Sequence, residues 1–422
     1  MRFTTLDQWL DWQSGLHPSE IALGLERVAE VWHRLSPGGL ASRVVTVAGT
    51  NGKGSCVAML DAVCRRAGYR VATYTSPHLV RYNERIRLNG EPVADQPLCE
   101  AFDAVDRARG ETTLTYFEFG TLAALYLFAQ SAPDLVILEV GLGGRLDAVN
   151  VVDADLAIIT TIDIDHEDWL GRDREAIGRE KAGVMRRDRP VILADPVMPE
   201  SVFHEAGRIG SEVLSAERDF FSRETSQGWR WSGPDGIVFE LPMPGLRGAP
   251  QRRNAAAVVM ACQCLRPLLD IPEAALGEAL AQVRLPGRQQ LLPGQPQLLL
   301  DVAHNRQAVE WLAASIDEIA PRGRVLAVFG LLQDKEVAGI ARILQERVEE
   351  WHLMDLPGSR GRSAEKLAQA LKAAAVGSPI HAWPDFGQAF QGARSSARED
   401  DLIVVFGSFL VVGEAMHYLG IE

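Results

Sequence analysis

The chain has 422 residues, 47% hydrophobic and 23% charged, so it has the composition of a globular protein with room for two or more cores. Its formal net charge of -13 argues against a broad phosphate-binding surface, and we expect no nucleic-acid partner. The start of the chain lacks the apolar core of a signal peptide, and no apolar run approaches the roughly 20 residues of a membrane span. We therefore expect a cytoplasmic protein that does not contact the membrane.

The five cysteines are an odd set without a C-x-x-C pair, which predicts neither a disulfide framework nor a zinc knuckle. Cys56 lies beside a glycine-rich segment, where we expect a small buried thiol and not a nucleophile.

Strands alternate with helices through the first two-thirds of the chain, the pattern of a mostly parallel sheet with helices on both faces. Apolar runs predict strands at residues 44–48, 70–74, 135–140, 156–161 and 190–194. Helical spacing of apolar residues predicts helices at 53–67, 117–130 and 174–185. Residues 219–241 differ and predict a hairpin.

Proline and glycine cluster at residues 285–297, which predicts a domain boundary. We expect a first domain at 1–286, a linker at 287–297 and a smaller Rossmann-like α/β domain at 298–422. A second alternation predicts strands at 297–302, 324–330, 350–355, 380–383 and 401–406. A nucleotide held between the two domains is the expected geometry.

The first predicted strand runs into a glycine-rich loop that contains one lysine and one serine, an arrangement that can cradle nucleotide phosphates. Its residues are Gly49, Thr50, Asn51, Gly52, Lys53, Gly54 and Ser55. The common pattern G-x-x-x-x-G-K-[ST] requires a glycine where this chain has Val47, and a serine or threonine where it has Gly54. Lys53 would reach the outer phosphates and Ser55 would hold Mg²⁺.

Polar residues follow three other predicted strands, where the ligand of such a sheet binds. Glu139 ends an apolar strand and precedes a glycine-rich loop, which favours a metal ligand over a solvated acid. His166 and Ser76 follow two further strands, and each has a structural alternative, a buried histidine and a Ser-Pro turn.

Lys181 lies in a predicted helix, and taken alone it is expected to face solvent. In the second domain, Asp301, His304 and Asn305 follow a buried strand and form a polar group that can face a nucleotide, with Arg288 near the phosphates. Asn305 has an equally good structural interpretation as a helix N-cap.

Several segments in this order resemble the ATP-dependent amide ligases that include the Mur ligases, and within them the dihydrofolate synthase/folylpolyglutamate synthase family. They are the loop 49–55, Thr75-Ser76-Pro77-His78-Leu79, residues 138–148, Asp165-His166, Glu180-Lys181-Ala182-Gly183, Pro286-Gly287-Arg288 and Asp301-x-Ala-His304-Asn305. The extra Gly54 after Lys53 is typical of the folate branch. Residues 17–27 resemble the N-terminal signature of that branch. Glu336 departs from the family, which usually shows an aspartate there.

The resemblance implies a Mur ligase central-type domain and a C-terminal-type domain, with ATP as co-substrate and two Mg²⁺ ions. Ser55, Ser76, Glu139 and His166 would hold the metal. Lys53, Lys181, His166 and His304 would act in catalysis, with Lys181 carbamylated. The nucleotide would contact Asn51, Gly52, Lys53, Gly54, Ser55, Asn254, Arg288 and Asp301. The pterin substrate would contact Thr115, Tyr116, Phe117, Glu118, Leu146, Asp147 and Ala148.

By the same resemblance, ATP phosphorylates a substrate carboxylate and the amine of L-glutamate attacks the acyl phosphate. The substrates would be 7,8-dihydropteroate and reduced folates, and we expect a monomer. Three alternatives stay open: a folylpolyglutamate synthase without the first activity, a Mur-type peptide ligase, and a P-loop ATP-binding protein without chemistry. The N-K-x-D element expected of a guanine-selective switch is absent from the sequence.

Overall fold

The computed structural model describes residues 1–421, which form two compact units. The first comprises Met1–His78, Tyr82–Gly245 and Gln251–Val283. The second comprises Leu79–Arg81, Leu246–Pro250 and the chain from Arg284 onward. The second unit therefore includes two short segments that come much earlier in the sequence than the predicted boundary.

The first unit contains an eight-stranded sheet and a separate three-stranded sheet. Its strands are β1 (Arg43–Ala48), β2 (Val71–Tyr74), β3 (Ile86–Leu88), β4 (Glu91–Pro92), β5 (Leu135–Glu139), β6 (Leu156–Ile159), β7 (Pro190–Leu193), β8 (Glu212–Ser215), β9 (Phe221–Thr225), β10 (Gly228–Ser232) and β11 (Val238–Leu241). The large sheet has the order β4-β3-β2-β5-β1-β6-β7-β8. Six of its strands are parallel, while β3 and β4 pair antiparallel at one edge.

Helices cover both faces of this sheet. The helices up to residue 282 are α1 (Leu6–Ser14), α2 (Glu26–Leu35), α3 (Lys53–Arg66), α4 (Asp95–Arg109), α5 (Tyr116–Ser131), α6 (Glu167–Leu170), α7 (Arg174–Ala182), α8 (Glu200–Ile209), α9 (Ala249–Leu265) and α10 (Glu273–Gln282). Val136 and Leu138 of β5 share one apolar cluster with α4 and α5. Since side chains alternate along a strand, Ile137 points to the other face, where α3 contacts β1, β2 and β5. Burial on both faces explains why β5 is apolar along nearly its whole length.

The three-stranded sheet is antiparallel, in the order β11-β10-β9. The predicted hairpin is confirmed as β10 and β11, and β9 adds a third strand on the other side of β10. Trp231 of β10 stacks on Phe239 of β11 with ring centroids 5.5 Å apart, and its indole N–H donates to the carbonyl of Ala256. Helix α9 therefore anchors this small sheet.

The second unit contains a six-stranded sheet in the order β12-β13-β17-β14-β15-β16. Its strands are β12 (Gln290–Leu292), β13 (Gln297–Asp301), β14 (Val325–Phe329), β15 (Glu350–Met354), β16 (Ile380–Trp383) and β17 (Leu402–Phe406). All are parallel except the edge strand β12. Its helices are α11 (Arg306–Ile319), α12 (Val337–Leu344), α13 (Ala364–Ala373), α14 (Phe386–Ser396) and α15 (Phe409–Leu419). Alternate residues of β17 belong to two different apolar clusters, one on each face.

The fold class expected from the sequence is confirmed, because both sheets are mostly parallel and carry helices. One part of the predicted linker is wrong. Residues 290–292 are not linker but strand β12, which pairs antiparallel with β13. Proline and glycine around this strand end it after three residues instead of excluding it.

The cysteines are free thiols among the described residues. Burial raises the pKa of the Cys56 thiol, which keeps it protonated and supports its interpretation as a packing residue. Across residues 1–421, no helix has the length and apolar character needed to traverse a bilayer.

Candidate functional site

Four neighbouring strands of the first unit bring the predicted site residues to one edge of the sheet. The order β2-β5-β1-β6 is parallel throughout, so the carboxyl ends of these strands lie side by side. Ser76 follows β2, Glu139 ends β5, the glycine-rich loop follows β1, and His166 comes after β6. Segments far apart in sequence therefore meet where a ligand of a parallel sheet binds.

The glycine-rich loop needs its glycines for close packing as well as for backbone conformation. Gly49 and Gly52 have φ of 147° and 91°, which side chains rarely adopt. A Cβ at Gly49 would lie 1.8 Å from the hydroxyl of Thr160, and one at Gly52 would lie 3.0 Å from the amide of Asn254. No side chain caps the described N-terminus of α3, and a helix N-terminus of this kind can bind an anion through its first backbone N–H groups.

Two threonines after β6 hold the loop in place, and the sequence interpretation missed both. The hydroxyls of Thr160 and Thr161 donate to the carbonyl of Asn51 at 2.7 and 3.2 Å. The N–H of Asn51 in turn donates to the hydroxyl of Thr161 at 3.1 Å. These contacts depend on β6 lying beside β1, and strand order is not visible in a local motif.

Lys53 and Lys181 converge on one oxygen. The ammonium groups of both lysines donate to the carbonyl of Gly49, each at 3.0 Å, and Lys53 also donates to the carbonyl of Thr50. Lys181 is 4% exposed, so the solvent-facing interpretation taken from its helix alone is wrong. Burial, and then the charge of Lys53, lower its pKa to about 7.

Three of the candidate metal ligands, Ser55, Ser76 and Glu139, have side-chain oxygen atoms suited to a hard cation, while His166 offers a ring nitrogen. Glu139 is buried, and its carboxylate accepts the backbone N–H of Ser76 at 3.1 Å. The hydroxyl of Ser55 is buried and has no hydrogen-bond partner among the described residues. His166 lies in the left-handed region, with φ of 54°, at the start of α6. A buried hydroxyl without a partner fits a residue that donates its oxygen to Mg²⁺.

The candidate pterin segments form a second group next to these charges. The ring of Phe117 packs so closely on Gly141 that a Cβ there would lie 2.5 Å from it, which joins the start of α5 to the loop after β5. Thr115 and Glu118 form the capping box of α5, and Arg27 donates to Glu118 at 2.7 Å. Thr115 and Glu118 therefore have structural partners already, while Tyr116 and Phe117 are half-buried.

Asp147 organises the loop that follows β5. Its carboxylate accepts the N–H groups of Leu142 and Val149 at 2.7 and 3.0 Å, and burial raises its pKa to about 6. Its charge also acts on Lys181. The neighbouring Leu146 carbonyl accepts the N–H of Gly24, so the N-terminal signature lies against this loop, and Ala148 is buried beside it.

Close packing fixes the same loop against α7. A Cβ at Gly144 would lie 3.0 Å from the carbonyl of Lys181, and one at Gly183 would lie 2.3 Å from Cβ of Arg145. Arg145 donates its backbone N–H to the carbonyl of Glu180 at 2.8 Å. These contacts position Lys181 relative to Asp147.

The expected nucleotide residues fall in both units. Asn254 of α9 lies beside Gly52 in the first unit. In the second unit, Asp301 accepts the backbone N–H groups of Gln289 and Ala303 at 2.9 and 2.7 Å. The positive charge of Arg288 also acts on Asp301.

Phe409 is the residue that the sequence interpretation missed in this second group. The guanidinium of Arg288 lies 4.9 Å from the centroid of its ring, and the ring of His304 lies 6.4 Å from it. Asn305 accepts the N–H of Ala308 at 3.0 Å and caps α11, which confirms its structural interpretation.

Two family models match the chain. The Mur ligase middle domain matches residues 47–218, and the Mur ligase glutamate ligase domain matches residues 287–409. The dihydrofolate synthase/folylpolyglutamate synthase of Escherichia coli strain K12 is 41% identical over 414 residues, which cover 98% of this chain and 95% of that protein.

Solved structures agree over nearly the whole chain. E. coli FolC in complex with DHPP and ADP superimposes with a TM-score of 0.93 at 41% identity, covering 99% of this chain and 98% of that one. A bifunctional folylpolyglutamate synthase/dihydrofolate synthase with Mn, AMPPNP and L-glutamate bound gives a TM-score of 0.91 at 40% identity, covering 99% and 98%. This chain belongs to the dihydrofolate synthase/folylpolyglutamate synthase family of the Mur ligases.

Proposed function

We propose that this protein is an ATP-dependent ligase that joins L-glutamate to the carboxylate of a pterin or folate. It makes dihydrofolate from 7,8-dihydropteroate and extends reduced folates to polyglutamates. The observation that carries the proposal is the meeting of the phosphate loop, Glu139 and the Asp147 loop at the ends of neighbouring parallel strands. Membership of the family supports both activities.

The phosphate loop would bind ATP through the backbone N–H groups at the start of α3 and through Lys53. The ammonium group of Lys53, which donates to Gly49 and Thr50 in this structure, would turn toward the outer phosphates. We also propose nucleotide contacts for Asn254, Arg288 and Asp301, and the charge of His304 acts on Asp301. The stacking of Arg288 on Phe409 supports an ordered guanidinium in that role.

The residues present fit Mg²⁺. Ser55, Ser76, Glu139 and His166 would hold one or two ions, and the unpartnered hydroxyl of Ser55 is the observation that supports this. When bound, Mg²⁺ neutralises charge on the transferring phosphoryl group. Lys53 contributes a further positive charge to the same group.

The reaction then follows in two steps. An oxygen of the pterin carboxylate attacks the γ-phosphorus of ATP, ADP leaves, and an acyl phosphate forms. The amine of L-glutamate attacks the carbonyl carbon, loses a proton, and expels inorganic phosphate, which leaves an amide. Tyr116, Phe117, Leu146 and Ala148 would line the pterin, and Asp147 would shape its loop.

We also propose that Lys181 is carbamylated. Its neutral amine would add to CO₂ and lose one proton, which gives an anionic carbamate. Burial, a pKa of about 7 and the ammonium of Lys53 at the same carbonyl oxygen all disfavour a positive charge here. The modification would replace repulsion between two cations with attraction to Lys53 and to a metal ion.

Lys181→Ala tests this modification. We expect product formation to fall, and to recover partly when acetate supplies a carboxylate in the vacated space. The matched control is Lys372→Ala, which removes an exposed lysine of α13 and should leave the rate unchanged. An unmodified Lys181 in a crystal structure of active enzyme would contradict the carbamate while leaving the ligase activity standing.

The activity is tested with purified protein, ATP, Mg²⁺ and L-glutamate, with 7,8-dihydropteroate in one series and tetrahydrofolate in the other. We expect an amide product in both, and ADP release that requires glutamate. Lys53→Ala should lower the rate of product formation by a factor of about 100 or more. Product from tetrahydrofolate alone would identify a folylpolyglutamate synthase without the first activity, and glutamate-independent ATP hydrolysis without product would refute a ligase.

We further propose that the enzyme works as a monomer in the cytoplasm, with small molecules as its only partners. Light scattering coupled to size-exclusion chromatography measures the molar mass in solution, and the mass of a dimer would contradict a monomer.

A further inference from the structure

The C-terminal sheet carries a second cluster of possible metal ligands, which the ligase chemistry does not use. Glu350 and His352 lie two residues apart on β15, so their side chains share one face of the sheet. His381 lies on the edge strand β16 and pairs directly with His352. One ligand atom from each of the three residues lies within 4.8 Å of the other two.

Two of the three distances in this cluster match those between the ligands of one small ion, and the third is at most 4.8 Å. Oε1 of Glu350 lies 3.2 Å from Nε2 of His352 and 3.3 Å from Nε2 of His381. A tetrahedral zinc ion, with bonds of about 2.0–2.2 Å to nitrogen and oxygen, separates neighbouring ligand atoms by roughly 3.3–3.5 Å. An ion could therefore enter with only small movements of the side chains.

The carboxylate of Glu350 is already oriented for such a role. Its other oxygen, Oε2, accepts the hydroxyl of Ser396 at 2.6 Å and the guanidinium of Arg324 at 3.3 Å. Arg324 also donates to Asp401 at 2.9 Å, which offsets its positive charge. These contacts leave Oε1 facing both imidazoles, and partners behind a ligand of this kind strengthen metal sites.

We propose that Glu350, His352 and His381 bind a divalent transition-metal ion, with Zn²⁺ the best match to two imidazoles and one carboxylate. The side chain of His381 is 45% exposed, so the fourth position of the ion opens to water. The bound ion joins the edge strand β16 to β15 and stabilises the C-terminal unit. This site is independent of the proposed ligase reaction.

Trp383 gives the site a distinctive signature. Its indole N–H donates to Nδ1 of His352 at 3.3 Å, which leaves the proton of a neutral imidazole on Nε2, facing Glu350. A metal ion on Nε2 moves that proton to Nδ1, where it opposes the indole N–H. Trp383 must then shift, so metal binding changes its fluorescence, and Trp383→Phe binds the ion more tightly than the wild type does.

The experiment measures Zn²⁺ uptake by competition with a chromophoric chelator. Full-length protein is stripped of metal and assayed at pH 7.5 with excess Mg²⁺ and ADP, which occupy the nucleotide site. We expect the wild type to bind one more equivalent than His381→Ala, or to bind it more than about 10-fold more tightly. His417→Ala removes an exposed histidine of α15 and should behave as the wild type does.

A second measurement does not depend on the folding of a variant. Crystals of the wild type soaked in Zn²⁺ should show an anomalous difference peak between the three side chains. Equal Zn²⁺ uptake by wild type and His381→Ala, or Zn²⁺-soaked crystals without this peak, would overturn the proposal and leave a hydrogen-bonded cluster only.

Discussion

At Lys181 the fold buries a charged side chain at a cost in stability that the local sequence does not predict. The polar neighbours Arg179 and Glu180 predict an exposed lysine, yet the side chain is buried and shares the carbonyl of Gly49 with Lys53. Burial penalises the charged form, and the second cation adds to that penalty. The unmodified amine is thus held in a place that favours its neutral state.

We expect the free-energy cost of burying the Lys181 amine to depend on pH. Its pKa falls from 10.5 to about 7 on folding, so between these values the unfolded chain binds more protons and stability rises with pH. In CO₂-free buffer, Lys181→Met should be more stable than the wild type at pH 6. That advantage should shrink by about 2–3 kcal/mol by pH 9. Urea unfolding at both pH values measures this difference, and an advantage that is equal at both would contradict a buried amine with a depressed pKa.

The carboxylate of Asp147 holds its loop because each of its two oxygens accepts a backbone N–H group. An asparagine side chain has only one oxygen, so it cannot replace both contacts. In Asp147→Asn, the NH₂ group faces one of the N–H groups of Leu142 and Val149, which costs about 1–3 kcal/mol locally. We expect KM for dihydropteroate to rise about 10-fold, while the Kd of Mg-ADP stays within about twofold. If KM for dihydropteroate and the Kd of Mg-ADP rose by the same factor, Asp147 would not belong to the pterin site.

At the level of elements, β1 and its loop depend on β6. The hydroxyls of Thr160 and Thr161 meet at the carbonyl of Asn51, so the loop is supported from a neighbouring strand as well as by its own glycines. A bond of this kind contributes about 0.5–1.5 kcal/mol.

Thr160→Val keeps the shape of the side chain but removes the 2.7 Å bond to Asn51. We expect KM for ATP to rise about 3- to 10-fold, with little change in the Tm of the ligand-free protein. Thr225→Val, at the exposed end of β9, is the control and should change neither value. An unchanged KM for ATP in the Thr160 variant would show that the hydroxyl does not support the loop.

The strands β1, β5 and β17 were predictable because each is a short run of apolar residues. A strand that is buried on both faces needs apolar side chains at nearly every position, so its sequence identifies it. The candidate site was predictable where a motif and a strand end coincide, as at Lys53 and Glu139. What could not be predicted depends on neighbours in space.

Three examples show this limit. The threonines after β6 support the loop only because β6 lies beside β1. The burial of Lys181 depends on loop packing at Gly144 and Gly183, and Phe409 meets Arg288 from more than a hundred residues away. No local pattern encodes these contacts.

At the scale of the whole molecule, each unit has its own sheet and its own apolar clusters. A ligand that binds only the folded protein stabilises it by an amount set by its concentration, about 2.7 kcal/mol at 100 times Kd. The phosphate loop and the candidate metal ligands Ser55 and Glu139 all lie in the first unit, so the metal-dependent part of this gain should belong to that unit.

We expect Mg-ADP to raise the Tm of the wild type, and EDTA to remove most of the increase because Glu139 and Ser55 then lack their cation. Differential scanning calorimetry with and without EDTA measures this effect. Lys53→Ala provides the control, since it should show a smaller increase even with Mg²⁺ present. An increase that survives EDTA in full would argue against metal-assisted nucleotide binding.

The order of β1 and β6 also has a consequence during synthesis. Asn51 and Thr161 lie 110 residues apart, although they bond directly in the finished fold. At about 5–20 residues per second, a ribosome needs roughly 6–22 s to make the intervening chain. During that interval the phosphate loop has been synthesised but β6, which supports it, has not. The nascent chain therefore acquires its nucleotide site late, after β6 has emerged and inserted beside β1.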